Sequence, residues 1–215
     1  MPVDLNALLD PRHTALITSE FQKGVVGPLT SLPALADAVR EGGVAPRLGA
    51  LARAARKAGV PVLHAVIHGR PDGGGRFYNC VLTAAGRKST TARHAGAPAS
   101  QLMDELEQAD TDYILSRYHG VSIFHDSELD AILRSLGVRT VVLTGVSVNV
   151  ALLGSTIEAV NRGYQVVMPR DGVAGVPPEY ANQVLDNTLR LLATLTTCEG
   201  IAEAWRGRQR DASAA

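Results

Sequence analysis

Three things are scarce in this chain of 215 residues, and each scarcity removes a class of function. There are two cysteines, Cys80 and Cys198. Two residues so far apart make neither a disulfide framework nor a zinc site, and they suit a reducing compartment. Charge is in no excess: 21 basic and 21 acidic residues cancel, so no overall basic field gathers nucleic acid or an anionic membrane. Apolar runs are short, none approaching the roughly 18 residues of a membrane span. Residues 1–6 lack a basic region followed by an apolar core. The expectation is a cytoplasmic protein acting on a small, roughly neutral ligand, with no nucleic-acid or membrane partner.

What the chain does have is strand–helix alternation, organised around TVVLTGVSVNVALLGS at residues 140–155. Val141, Val142 and Leu143 read as a buried strand that breaks at Gly145. A polar turn follows through Ser147 and Asn149, and then a helix whose apolar face is Leu153, Ile157 and Val160. Six strands are expected in all, at residues 14–19, 61–67, 113–117, 139–144 (the strand just described), 165–168 and 195–198. Helices are expected at 46–59 (Leu48, Leu51, Ala52, Ala55), after a cap at Asp126 or Ser127 (Leu129, Ile132, Leu133, Leu136, ending at Gly137), and through Tyr180, Val184 and Leu191. The simplest packing is a single α/β domain over residues 1–215, a doubly wound parallel sheet of six strands with helices on both faces.

Residues 69–98 lose the pattern and read as a lid, an oligomer arm or a disordered excursion. The triple glycine at 73–75 lacks the Lys-Ser/Thr of a phosphate loop and opens no helix. The tail beyond Trp205 is expected to fray.

In a parallel sheet, ligands sit outside the carboxyl ends of the strands. Three such ends carry chemistry: Glu20 with Gln22 after the first strand, Arg117 with His119 after the third, and the turn of Ser147, Asn149 and Ala151 after the fourth. They offer an acid or base, a cation for an anionic group, and backbone donors at a helix start. Each also has a structural reading. Glu20 and Arg117 can be a plain ion pair, His119 a satisfied loop histidine, and Ser147 and Asn149 helix caps.

The order of ALITSEFQ, YILSRY with Phe124 and SELDAILRSLGV, then TVVLTGVSVNVA and NRGYQVVMPRDGVAG, resembles the isochorismatase-like, or cysteine hydrolase, superfamily over residues 14 to about 197. The resemblance implies a six-stranded parallel sheet, a pocket at these turns, a homo-oligomer (dimer or tetramer), and a non-proline cis peptide at Val146–Ser147. Amidase members use an aspartate, a lysine and a nucleophilic cysteine; the matching positions here hold Glu20, Arg117 and Ala151. A thioester route needs a thiolate, and neither Cys80 nor Cys198 falls at the matching position.

Family members that work without cysteine cleave a vinyl ether by protonating the enol carbon. That role would fall to Glu20, kept protonated by desolvation, while Arg117 turns to a substrate carboxylate. Gln22, His119, Phe124, Ser147, Asn149 and Ala151 would line the substrate site. A second possibility has Glu20 activating water directly for ester or amide hydrolysis. A third is a catalytically silent pocket that binds a metabolite or a partner. No cofactor is implied, and no metal: His64 and His68 lie about 13 Å apart along a strand and lack the aspartate-and-histidine pattern of nicotinamidases.

Overall fold

The computed structural model describes residues 4–86 and 91–214. The β-branched, apolar runs form the strands of one parallel sheet: β1 (Thr14–Ser19), β2 (Val62–Ile67), β3 (Tyr113–Arg117), β4 (Thr140–Val146), β5 (Gln165–Pro169), β6 (Val173–Ala174) and β7 (Thr194–Thr196). Their order is β3-β2-β1-β4-β5-β7, with the two-residue β6 paired to the end of β4. From β1 the chain builds outward to β3 on one side and to β7 on the other. The order therefore reverses between β1 and β4, where open α/β sheets form a crevice.

Alternate residues of each central strand enter opposite cores. Leu16, Val66 and Val142 join one face with Leu48, Leu51, Ile201 and Trp205; Ile17, Leu63, Val141 and Leu143 join the other with Leu129, Leu133, Leu152 and Val184. The first face is covered by α1 (Leu5–Leu8), α2 (Pro33–Glu41), α3 (Val44–Lys57) and α8 (Cys198–Ala214). The short α4 (Val81–Gly86) lies in the long loop, and α5 (Leu129–Ser135), α6 (Leu153–Asn161) and α7 (Pro178–Asn187) cover the second face. The expected three-layer architecture holds, with β6 as an added short strand.

Three expectations need correction. β4 does not break at Gly145 but runs through it: Gly145 has φ +94° and pairs with Ser19. A Cβ there would lie 2.4 Å from the Ser19 carbonyl oxygen, so the glycine lets two strand backbones close on each other rather than ending one. The last strand stops at Thr196, and Cys198 opens α8. The α8 helix carries the chain to Ala214. In α6, Ile157 and Val160 are exposed while Ser155 and Thr156 are buried. The two hydroxyls earn that place by bonding the carbonyls of Ala151 and Leu152 at 2.6 and 2.7 Å. The α2 helix had no sequence expectation. Within the 69–98 loop, residues 87–90 lie outside the described residues.

Candidate active site

The carboxyl end of β1 turns sharply at Glu20, whose φ is +51°. A non-glycine residue held there costs of order 1–3 kcal/mol. Two backbone bonds hold it: Glu20 N–H to Ala65 O and Gln22 N–H to Glu20 O, both 2.8 Å. Arg117 closes β3, and its side chain is 2% exposed against 20% for Glu20. Across the end of β2 the Arg117 Nη2 donates to the Glu20 carboxylate. Its Nε and Nη2 also reach the Ser122 and Val121 carbonyls at 3.4 Å each, and Nη1 is buried without a partner. The sequence pair thus meets directly, guanidinium to carboxylate. Arg117 turned toward a substrate, with Glu20 protonated, is a different arrangement from the one observed.

The turn after β4 forms the adjoining wall. The Val146–Ser147 peptide is cis, as the resemblance implies, and the Ser19 hydroxyl donates to Val146 O at 2.8 Å, tying this turn to β1. Residues Val148–Leu152 form a wide π turn before α6, a feature frequent at functional sites. The Ser147 carbonyl accepts from Val150 and Leu152 N–H (3.2 and 3.0 Å), but its hydroxyl caps nothing. Asn149 is no cap either: its Nδ2 donates to Val176 O at 3.1 Å, leaving a buried, unpartnered Oδ1. Ala151 brings a nearly buried methyl group.

Two of the expected ligand residues are spent on structure. The Gln22 amide accepts from Ile67 N–H (2.8 Å) and donates to Ile67 O and Ser100 O (3.2 and 3.0 Å), which locks the end of β2 to the far end of the loop. Phe124 belongs to the core beneath α5 and α6, stacked on Tyr164 with Arg162 over its ring.

His119 stands at the rim. Its Nδ1 is buried without a partner, and Phe77 from the loop packs on its ring at 5.1 Å. With His125 and Asp126 it brings three ligand atoms within 4.8 Å of one another, the grouping among the described residues best suited to a divalent transition ion. His64 and His68 form no such group. His64 bonds Thr18 and Asp112 in the core (2.7 and 3.2 Å). His68 is buried, which pushes its pKa down, and it meets Tyr118 edge-on.

Sequence reasoning missed the loop's contribution. His68 N–H donates to Arg117 O at 2.8 Å, and the next residue, Gly69, donates to Arg93 O at 2.9 Å. Arg93 is thereby pinned beside the ends of β2 and β3. Within this loop, beside Tyr118 just past the end of β3, lies a cavity of about 730 Å³ lined by Arg76, Arg93 and His94 among others; Glu20 and Arg117 are not part of its lining. Neither thiol belongs to this group. Cys80 is exposed, and the Cys198 thiol is pushed up by burial and by the neighbouring Asp171.

A parallel sheet whose order reverses, with helices on both faces, defines a three-layer α/β protein. The isochorismatase domain matches residues 14–200, and the chain belongs to the isochorismatase family of hydrolases. It is 27% identical over 190 residues to the ureidoacrylate amidohydrolase RutB of Pseudomonas syringae pv. syringae, covering 81% of this chain and 76% of that one. It is 29% identical over 108 residues to the isochorismatase family protein YaaI of Bacillus subtilis, a match spanning 49% of this chain and 58% of that relative, so little more than half of that relative is matched. A cysteine hydrolase from Pseudomonas syringae pv. phaseolicola superposes with a TM-score of 0.76 over 96% of both chains at 22% identity, a likeness of fold. Among the described residues, no helix is long and apolar enough to cross a membrane.

Proposed function

We propose that this chain hydrolyses a small carboxylated substrate by acid–base chemistry at Glu20 and Arg117, without a cysteine nucleophile. The observation that carries the reading is the Glu20–Arg117 ion pair, which runs from the end of β1, the strand that borders the reversal, to the end of β3, in a site where the turn after β4 offers the methyl group of Ala151 and no thiol. An ionised carboxylate beside a guanidinium is a base. Glu20 takes a proton from water as the water oxygen bonds to the electrophilic carbon of the substrate, and returns it to the leaving group. Arg117 holds the carboxylate in orientation. The substrate that RutB's name gives, a ureidoacrylate, contains a carboxylate, which supports the substrate class.

Vinyl-ether cleavage is the second reading, and the unpartnered Nη1 of Arg117 favours it. A substrate carboxylate that draws Arg117 away releases Glu20 to take up a proton and deliver it to the enol carbon. Turnover in deuterated water separates the two: solvent deuterium enters a product methyl group only if that carbon is protonated. Glu20→Gln is expected to abolish turnover in either case. Saturable binding of carboxylated ligands with no turnover of esters, amides or vinyl ethers sinks both and leaves a silent binding pocket.

A further inference from the structure

Arg93 is a cation at this site that no carboxylate holds. Its backbone is fixed to the end of β2 through Gly69, one residue from the His68 bond to Arg117. Its guanidinium makes one short bond, Nη2 to the Ser31 hydroxyl at 2.6 Å, and its Nε is buried with no partner at all. Arg70, on the same loop, is satisfied by Asp72 at 2.7 Å. Among the described residues, Arg93 and Arg76 have no ion-pair partner, and both line the 730 Å³ cavity.

A half-buried guanidinium with an open N–H is costly unless something anionic meets it. A second arginine across the same space adds repulsion that an anion between them would cancel. Burial and the charge of Arg76 lower the pKa of Arg93, and the charge of Glu20 acts in the opposite sense.

We propose that Arg93, with Arg76 as a second cation, is the anion-binding subsite that holds the carboxylate of the substrate, leaving Arg117 to its pair with Glu20. This assigns the described parts of the loop, residues 69–86 and 91–94, a specificity role beside the end of β3. A planar carboxylate suits the open edge of the Arg93 fork, which a lysine could not reproduce. The inference rests on the reading that substrate is turned over at Glu20, with its carboxylate reaching from there into the loop cavity that Arg76, Arg93 and Tyr118 line.

The test is isothermal titration of the full chain with pyruvate, succinate and benzoate against chloride at matched ionic strength. The wild type is expected to bind at least one of these saturably, and Arg93→Met to weaken it about tenfold or more. Arg93→Lys, which keeps the charge and loses the fork, should restore part of the affinity. Arg53→Met, which breaks a surface pair with Glu107 on the outside of α3, should leave it unchanged. Equal binding by R93M, equal binding of the neutral amides of the same acids, or no carboxylate binding by the wild type overturns the assignment. Inorganic phosphate binding more tightly than any carboxylate overturns the carboxylate class. Should R93M not fold, R93K decides, since affinity equal to wild type overturns the role of the fork. Carboxylate binding lost in R93M, with no substrate turned over, keeps the subsite and removes the hydrolytic reading. Turnover untouched by R93M does the reverse.

Discussion

Arg117 lies almost wholly buried beneath the loop after β3, while its partner Glu20 keeps a fifth of its side chain in contact with solvent. The two ends of this pair are therefore unequal. Glu20→Ala strands a guanidinium away from water, which should cost about 3–5 kcal/mol. Arg117→Met leaves a carboxylate that can turn outward and should cost less, about 1–2 kcal/mol. Urea unfolding of both variants at neutral pH measures the order; a larger loss in R117M would show that burial does not decide it. Turnover should fall at least a hundredfold in Glu20→Gln, the range that a positioned acid or base contributes.

A second buried carboxylate does structural work. Asp112, just ahead of β3, takes a two-pronged bond from Arg56 (3.0 and 2.7 Å), one from Ala109 N–H (2.9 Å) and one from His64 (3.2 Å). Burial opposes its ionisation, but the bonds from His64, Arg56 and the Ala109 amide outweigh it and hold the carboxyl well below the usual carboxylate range. A folded-state pKa depressed below the unfolded value of about 3.9 adds stability that is complete above that value and is lost as pH falls toward the folded one. Asp112→Asn should therefore be less stable by about 3 kcal/mol at pH 7, and the gap from wild type should narrow in urea unfolding below about pH 4. A gap that stays constant with pH would mean that the charge contributes nothing.

The cysteines give a direct check on the chemistry. Cys80 is exposed, and its thiol is lowered by the bond with Thr83, which makes it the more reactive of the two. Iodoacetamide should label Cys80 well before Cys198. Cys80→Ser should nonetheless keep full kcat/KM on any substrate identified. Loss of activity in that variant would hand the nucleophile's role to the loop and end the acid–base reading.

The Glu20–Arg117 pair was legible in the sequence because each residue directly follows or closes a strand, and parallel strands bring their carboxyl ends together. Gln22 was misjudged for the opposite reason: two residues into a turn, an amide can face a ligand or the backbone, and the free carbonyls and amide of Ile67 and Ser100 decided for the backbone. Arg93 was out of reach because nothing in a Gly- and Pro-rich loop says which of its cations returns to the sheet. One backbone bond, from Gly69, makes that choice.

Gly145 was read as a breaker because glycine usually weakens a strand, yet its service here is proximity. The missing Cβ lets β4 lie against the Ser19 carbonyl, directly behind Glu20, and its φ of +94° suits glycine alone. Gly145→Ala should cost about 2 kcal/mol or more from the clash and the backbone conformation together. It should also lower turnover of any substrate identified, since β1 must move and Glu20 moves with it. Unchanged kinetics in a destabilised G145A would separate the packing of the strands from the aim of the carboxylate.

The face of α6 makes the last case. Leu153, Ile157 and Val160 have helical spacing, but the inward positions go to Ser155 and Thr156. Ser155 Oγ donates to Ala151 O and accepts from Ile123 N–H at 3.0 Å, so it joins the π turn to the loop after β3. Ser155→Ala is small enough to fit, yet it leaves the Ile123 N–H buried and unbonded, which should cost about 1–3 kcal/mol. Ile157→Gln, on the exposed side, should change the stability of the monomer by no more than about 0.5 kcal/mol. Thermal unfolding of the pair tests this at low protein concentration, with the oligomeric state followed by sedimentation. If I157Q unfolds more readily than S155A only at concentrations where the wild type self-associates, the exposed apolar residues of α6 belong to an interface between copies of this chain.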